Sequence, residues 1–399
     1  MSDVRYFVNE ISKDGVIAVD DTILVKGTPA TAGSKMLENF VPLFSAEAVE
    51  RLEKSGYGIK GKTNVGEFGL DLFGETSFFG EVKDGEKLAG AGAGLVKSGE
   101  VKASLSVDLN AYPRRAAAVS GVDFIKPTYG TVSRYGIIAA ACSGEQIGVT
   151  AKTAEDMKEI LSVIAGHDSK DGTSLPQEKY EYSLSENVSG MKIALVKELY
   201  DLASDEVKAN VDSYVESLKK LGATVETVSL DVVSAAQTAW QILMSAETTN
   251  NLSRFDGVKY GYRAPEYKNI DELYVKSRTD AFGFLTKATI IYGSDVLAKD
   301  KYQACYDKSL RIRRVVTDKV KEVLASFDAL ITPVSSKTEY QSYDILEAFD
   351  KVFEESIFTA VPSITGLPAV VTKGVQLIAD SFKESVLLSI ADSVEKEEA

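Results

Sequence analysis

Histidine is nearly absent from this 399-residue sequence, which holds one, His167, together with two cysteines, one tryptophan and nine prolines. Any Ser-His-Asp triad or multi-histidine metal site must use that residue or not exist. Cys142 and Cys305 are too few for a disulfide framework or a cysteine-rich zinc site. Their neighbours are Ala-rich and Tyr-rich with no base close in sequence, the setting of inert buried thiols. Basic charge is short as well: 45 Lys+Arg against 59 Asp+Glu leave a net charge of -14, which disfavours a chain that grips phosphate backbones. No run of about 18 apolar residues occurs. Met1 to Glu10 carry neither a basic nor an apolar leader segment. A cytoplasmic protein is expected, with no membrane contact, no direct nucleic-acid contact, no metal and no cofactor.

What is present is a globular composition, 44% hydrophobic and 26% charged, long enough for one large α/β domain or two ordinary ones. Short β-type runs alternate with helical ones: Val16 to Val19, then a helix over Ser45 to Gly56, then a strand over Tyr57 to Asn64. A helix follows Thr153, which caps it, with Met157, Ile160, Leu161 and Ile164 on one face before Gly166. Asp205 to Gly222 is the cleanest amphipathic helix, and strands are expected at Met191 to Val196, Ala223 to Leu230, Asp328 to Pro333 and Gly366 to Val371. A further helix, rich in Lys and Arg, is expected over Leu310 to Leu324. The polar stretch Leu175 to Ser189 reads as an internal seam, near 175–190, within a single domain of residues 1–399.

Three features point to chemistry and carry little. Gly56 to Thr63 (GYGIKGKT) matches a phosphate-loop pattern, but such a loop leads from a strand into a helix, and here a helix precedes the match and a strand runs through it. Ala89 to Gly94 (AGAGAG) would let a backbone approach a ligand, yet no basic or hydroxyl side chain lies inside it. His167 sits just past a helix C-terminus, where capping explains it better than catalysis.

One stretch is more specific than composition. KPTYGTVSRYG (Lys126 to Gly136), EQIGVTAKTAEDM (Glu145 to Met157) and IAGHDSKDGTS (Ile164 to Ser174) strongly resemble the amidase signature family, in its glutamyl-tRNA(Gln) amidotransferase A-subunit branch. KGTPATAGSKMLENFVP (Lys26 to Pro42), GKTNVGEF (Gly61 to Phe68), NNLSRFDGVKYGYR (Asn250 to Arg263) and GLPAVV (Gly366 to Val371) agree in order, so most of the chain is covered. The resemblance implies an α/β amidase signature fold: a mixed, mainly parallel central sheet with helices on both faces. It also implies a subunit that works with B and C partners, hydrolysing glutamine to supply ammonia.

The family uses a Ser-cisSer-Lys arrangement, in which lysine draws a proton through a bridging serine from a nucleophilic serine and backbone amides hold the oxyanion. Carried over by register, the lysine position is Asp20, the bridging serine Leu88 and the nucleophile Tyr112. Asp108 and Arg114 match the pattern around the nucleophile. Asn110 and Ala111 replace two glycines, so the tight oxyanion turn is expected to be compromised. Ala288 and Thr289 stand where the family offers an arginine to the substrate carboxylate. Against the family, the chain begins just before the lysine-bearing strand, without an N-terminal helical region. It is also shortened between Gly80 and Leu88 and between Val371 and Gly374.

These substitutions favour an inactive amidase-fold protein that acts by binding a protein partner. Arg254, Tyr260, Tyr262 and Arg263 are the candidate interface, with ordinary surface packing as their bland reading. A B-like or C-like amidotransferase subunit is the first candidate partner and a full-length paralogue the second. Two alternatives remain open: new acid–base chemistry in a remodelled pocket of Asp20, Tyr112, Asp108, Arg114 and Arg115, or residual amidase or glutaminase activity.

Overall fold

The computed structural model describes residues 6–185 and 187–398. Part of the N-terminal leader reading, residues 1–5, and Glu186 of the polar stretch lie outside the described residues. In chain order the strands are β1 (Phe7–Glu10), β2 (Ile17–Asp20), β3 (Ile59–Thr63), β4 (Lys83–Asp84), β5 (Lys87–Leu88), β6 (Ala103–Asp108), β7 (Asp123–Lys126), β8 (Gln146–Ala151), β9 (Lys192–Val196), β10 (Thr224–Val228), β11 (Ala329–Pro333), β12 (Ala369–Thr372) and β13 (Val375–Ile378). β4 and β5 form a separate hairpin. The other eleven make one sheet in the order β1-β3-β2-β6-β8-β7-β12-β13-β11-β9-β10.

The sheet is mixed, as expected, but mainly parallel is corrected: four of its ten pairings are parallel and six antiparallel. β8 inserts between β6 and β7 and runs opposite to both. β12 and β13 form a hairpin closed by Lys373 and Gly374, both at positive φ (49° and 79°), which matches the twist of flanking strands.

Strand alternation sorts the core into two faces. Ile17, Val19, Leu105, Val107, Ile147 and Val149 point to one side, against the helices Glu47–Lys54, Ala154–Ile164, Asp205–Lys220 and Glu384–Glu398. Ala18, Phe124 and Val371 point to the other, under the helices Ala91–Ser98, Tyr112–Ser120 and Val233–Leu252. The expected helix starts hold: Thr153 and Ser204 accept hydrogen bonds from the amides of Asp156 and Val207. Gly222, at φ 87°, lies just past the second helix.

The glycine-alanine run forms a helix rather than an open loop. A Cβ on Gly92 would lie 2.5 Å from Ser104 Oγ, and one on Gly90 would lie 2.4 Å from Ala116 Cβ. Glycine here lets the helix Ala91–Ser98 press directly on β6 and its neighbouring helix.

Candidate functional site

β6 reads ASLSVD and is buried at all six positions, so its alternation sends Ser104, Ser106 and Asp108 to the same face while Leu105 and Val107 serve the opposite core. In register with it, β2 sends Asp20 to that face beside Thr63 of β3. The result is a polar strip in the middle of a buried sheet face, under the helix that begins at Tyr112.

Asp20 is the centre of this strip. Its carboxylate accepts from Thr63 Oγ1 (2.9 Å), Ser106 Oγ (3.2 Å) and the Val107 amide (3.2 Å), and the Tyr112 hydroxyl donates to Oδ2. Asp20 and Tyr112 are 1% and 4% exposed. Burial pushes the Asp20 carboxyl up to about 7, against the opposing pull of these donors and of the Lys62 charge. Ser104 Oγ, also buried, has no hydrogen-bond partner among the described residues. The Tyr112 ring passes 4.0 Å from where Gly69 would carry a Cβ. Sequence reasoning selected Asp20 and Tyr112 by register. It did not place Thr63, Ser104 or Ser106 in the site. The signal for the two serines was the polar alternation of a strand otherwise filled with small and apolar residues.

Ala111 enters the helix Tyr112–Ser120 at φ 66°, ψ 19°. The expected loss of the tight turn is therefore corrected: the left-handed turn is kept by an alanine, at a cost of roughly 1–2 kcal/mol relative to glycine. Leu88, 3% exposed, lies in the apolar core and its amide donates to the Tyr340 carbonyl (2.8 Å).

Asp108 and Arg114 form a closed pair rather than an open pocket. Arg114 Nε and Nη2 reach the two Asp108 oxygens at 2.7 and 3.0 Å, and its remaining donors meet Gln376 Oε1 (2.8 Å), the Thr359 carbonyl (3.1 Å) and Ser363 Oγ (2.6 Å). Arg115 donates to the Asn110 carbonyl (2.5 Å) and Thr359 Oγ1 (3.0 Å), while its Nε has no partner among the described residues. Neither arginine lines the cavity of about 660 Å³ whose walls include Leu72, Ser336, Tyr340, Tyr343 and Glu355.

Lysines 62 and 126 are fully buried. Lys62, from the phosphate-loop match, lies inside β3 as expected, donates to the Ile23 carbonyl and stands 3.7 Å from Asp21; burial brings its ammonium down to about 8. Lys126 donates to the Leu367 carbonyl at 2.8 Å, and burial brings it down to about 7. His167 Nδ1 lies 2.9 Å from the Leu175 carbonyl, a structural contact. Ala288 and Thr289 lie on the helix Phe284–Val296, with Thr289 buried. Among the described residues no group of three or more His, Cys, Asp or Glu is placed to hold a metal ion. No described helix is long and apolar enough to cross a membrane.

Of the candidate interface residues, Arg254, Tyr260 and Tyr262 line a second cavity of about 600 Å³. Arg263 is turned to Tyr267, donating to its hydroxyl with the guanidinium 5.3 Å from the ring centre.

The eleven-stranded mixed sheet, helices on both faces and a buried polar strip beneath a helix start define a class. Residues 15–388 match the Amidase family, and the chain belongs to it. Within that family it is similar to the A subunit of glutamyl-tRNA(Gln) amidotransferase. It is 38% identical to the Agathobacter rectalis protein of that name over 95% of this chain and 80% of the relative. It is 37% identical to that of Sulfurihydrogenibium sp. over 94% and 81%. The crystal structure of the Thermotoga maritima protein of the same name superposes with a TM-score of 0.83 at 28% identity, covering 98% of this chain and 87% of that one. A bacterial aryl acylamidase shares the fold, with a TM-score of 0.84 at 18% identity over 99% of this chain and 89% of that one.

Proposed function

We propose that the chain is a non-catalytic amidase-fold protein, derived from the A component of an amidotransferase, that acts in the cytoplasm by binding a protein partner. A B-like or C-like amidotransferase subunit is the first candidate and a full-length paralogue the second. The observation that carries this reading is the contact between Tyr112 and Asp20. At the three positions that the resemblance assigns to nucleophile, relay and base stand a phenol, an isobutyl group and a carboxyl. Leucine has no proton to relay. The phenol is already committed to the carboxyl, and both are buried. A carboxylate in the base position turns neutral when it takes up a proton, so Asp20 would offer a developing oxyanion none of the positive charge that a protonated lysine provides. The tight turn after Val371 and the short hairpin that ends at Leu88 support a reading of trimmed pocket walls.

The test is a pull-down of the tagged chain from its native cytoplasm, scored for amidotransferase subunits. Their recovery in stoichiometric amounts supports the reading, and a monodisperse monomer that recovers none contradicts it. A second reading, new acid–base chemistry, draws on Asp20 being held near 7 beside a tyrosine. It requires turnover that Tyr112→Phe abolishes.

A further inference from the structure

We infer that the groove lined by Arg254, Lys259, Tyr260 and Tyr262 is the docking site for a segment of a partner protein that carries carboxylates beside apolar anchor side chains. The inference rests on the reading of the chain as a binding protein and names the surface and the chemistry of the segment it takes.

The groove has a rigid frame. Gly261, at φ 83°, brings its backbone so close to Met36 that a Cβ would lie 2.5 Å from the sulfur, and the Tyr262 amide donates to the Met36 carbonyl at 2.7 Å. Asp256 Oδ1 accepts the amides of Val258 (2.8 Å) and Lys259 (3.0 Å), fixing the turn that carries the rim. The walls are apolar, from Leu24, Met36, Leu37, Phe40, Ile138 and Phe255.

Charge selects the occupant. The chain holds 59 acidic residues, yet no Asp or Glu lines this groove, and its two charged lining residues are Arg254 and Lys259. Arg254 spends Nε and Nη2 on Asn251, at 2.7 Å each, and its Nη1 has no partner among the described residues. Lys259 makes no ion pair among the described residues. A third cation stands close by, with Lys35 Nζ 4.4 Å from the centre of the Tyr262 ring. A cationic rim favours an anionic segment, and the net charge of -14 that each copy carries opposes the seating of a second copy of this chain.

Extent separates a polypeptide from a small molecule. Exposed apolar surface continues along the chain from the groove walls: Val41 (47%) and Leu43 (86%) follow the wall residue Phe40, and Val258 (41%) lies two residues before the lining residue Tyr260. Aromatic and arginine side chains around an apolar centre are the composition of protein interfaces. A peptide segment can cover both flanks while its carboxylates meet Arg254 and Lys259.

The test selects ligands without assuming the partner. Random peptides of about a dozen residues, displayed on phage, are panned on the intact chain and then measured against the double variant Arg254→Glu, Lys259→Glu. Selected peptides are expected to carry Asp or Glu beside aromatic or aliphatic residues. They should bind the double variant about tenfold or more weaker, while Lys219→Glu on the helix Asp205–Lys220 leaves binding within roughly twofold. Peptides without acidic residues, or peptides that bind the double variant equally well, overturn the inference. Full displacement by decanoate at micromolar concentration also overturns it, by making the groove a small-molecule site. A failed pull-down with this selectivity intact removes the amidotransferase partner alone, and a successful pull-down without it removes the groove alone.

Discussion

Arg114 and Asp20 lie on the same face of the central sheet, both out of contact with water, and their surroundings differ in one respect. Around Arg114 every donor has an acceptor, and Asp108 supplies the countercharge in two-pronged geometry. Asp20 receives several donors and its carboxyl is held near 7, yet among the described residues no cation touches it and Ser104, two residues before Ser106, has no partner. The first cluster joins β6, the helix Tyr112–Ser120, β13 and the 359–363 segment, so it is framework. The second lies at positions that the family resemblance assigns to base and nucleophile, and it carries the cost of a buried acid with no directly paired cation among the described residues.

That contrast can be broken at several points, the largest effect first. Arg114→Met leaves Asp108 buried and unpaired, and is expected to cost about 3–5 kcal/mol; urea denaturation measures it, and a loss below about 1 kcal/mol would dissolve the distinction.

Asp20→Asn acts in the opposite direction. The folded Asp20 keeps a proton between its ordinary value near 4 and about 7 that the unfolded chain has released. Stability contributed by this group therefore falls as pH rises through that window and stays low above it. The asparagine variant is expected to gain on the order of a few kcal/mol over the parent at pH 8 and much less at pH 5. Thermal melts at both pH values check this, and an equal or larger gain at pH 5 would refute it.

Lys126→Met tests the opposite sign. The folded lysine is held near 7 and the unfolded one near its ordinary 10.5, so its penalty is complete below 7 and fades as pH rises toward 10.5. The variant's melting temperature relative to the parent should be most favourable at pH 6 and decline by pH 9. Smallest is Ala111→Gly, which relieves the left-handed alanine and should stabilise by about 1 kcal/mol; a destabilised glycine variant would show that the turn holds no strain.

The local features of the fold were readable in the sequence because they depend on neighbours. Thr153 and Ser204 cap helices whose apolar residues recur at helical spacing, and β9, β10 and β11 lie inside the runs that alternation and apolarity mark. Strand direction was not readable, because it is set by which distant strand pairs with which. Nothing within Gln146 to Ala151 says that it inserts between β6 and β7. The candidate site divides in the same way. Family register singled out Asp20 and Tyr112, but their contact spans 92 positions and arises only when β2 and the helix start meet. Ala111 at positive φ ran against its own preference, so the sequence pointed away from the turn that forms. The burial of Lys62 and Lys126 likewise depends on strands from elsewhere closing over them.

The central claim, that the Tyr112 and Asp20 pair replaces catalysis, is tested most directly by ammonia release from glutamine. The purified chain is assayed alone and with the B and C subunits of an amidotransferase, beside its Tyr112→Phe variant. The account predicts no release above the buffer rate from either protein in either setting. Sustained release by the parent that Tyr112→Phe abolishes would contradict it.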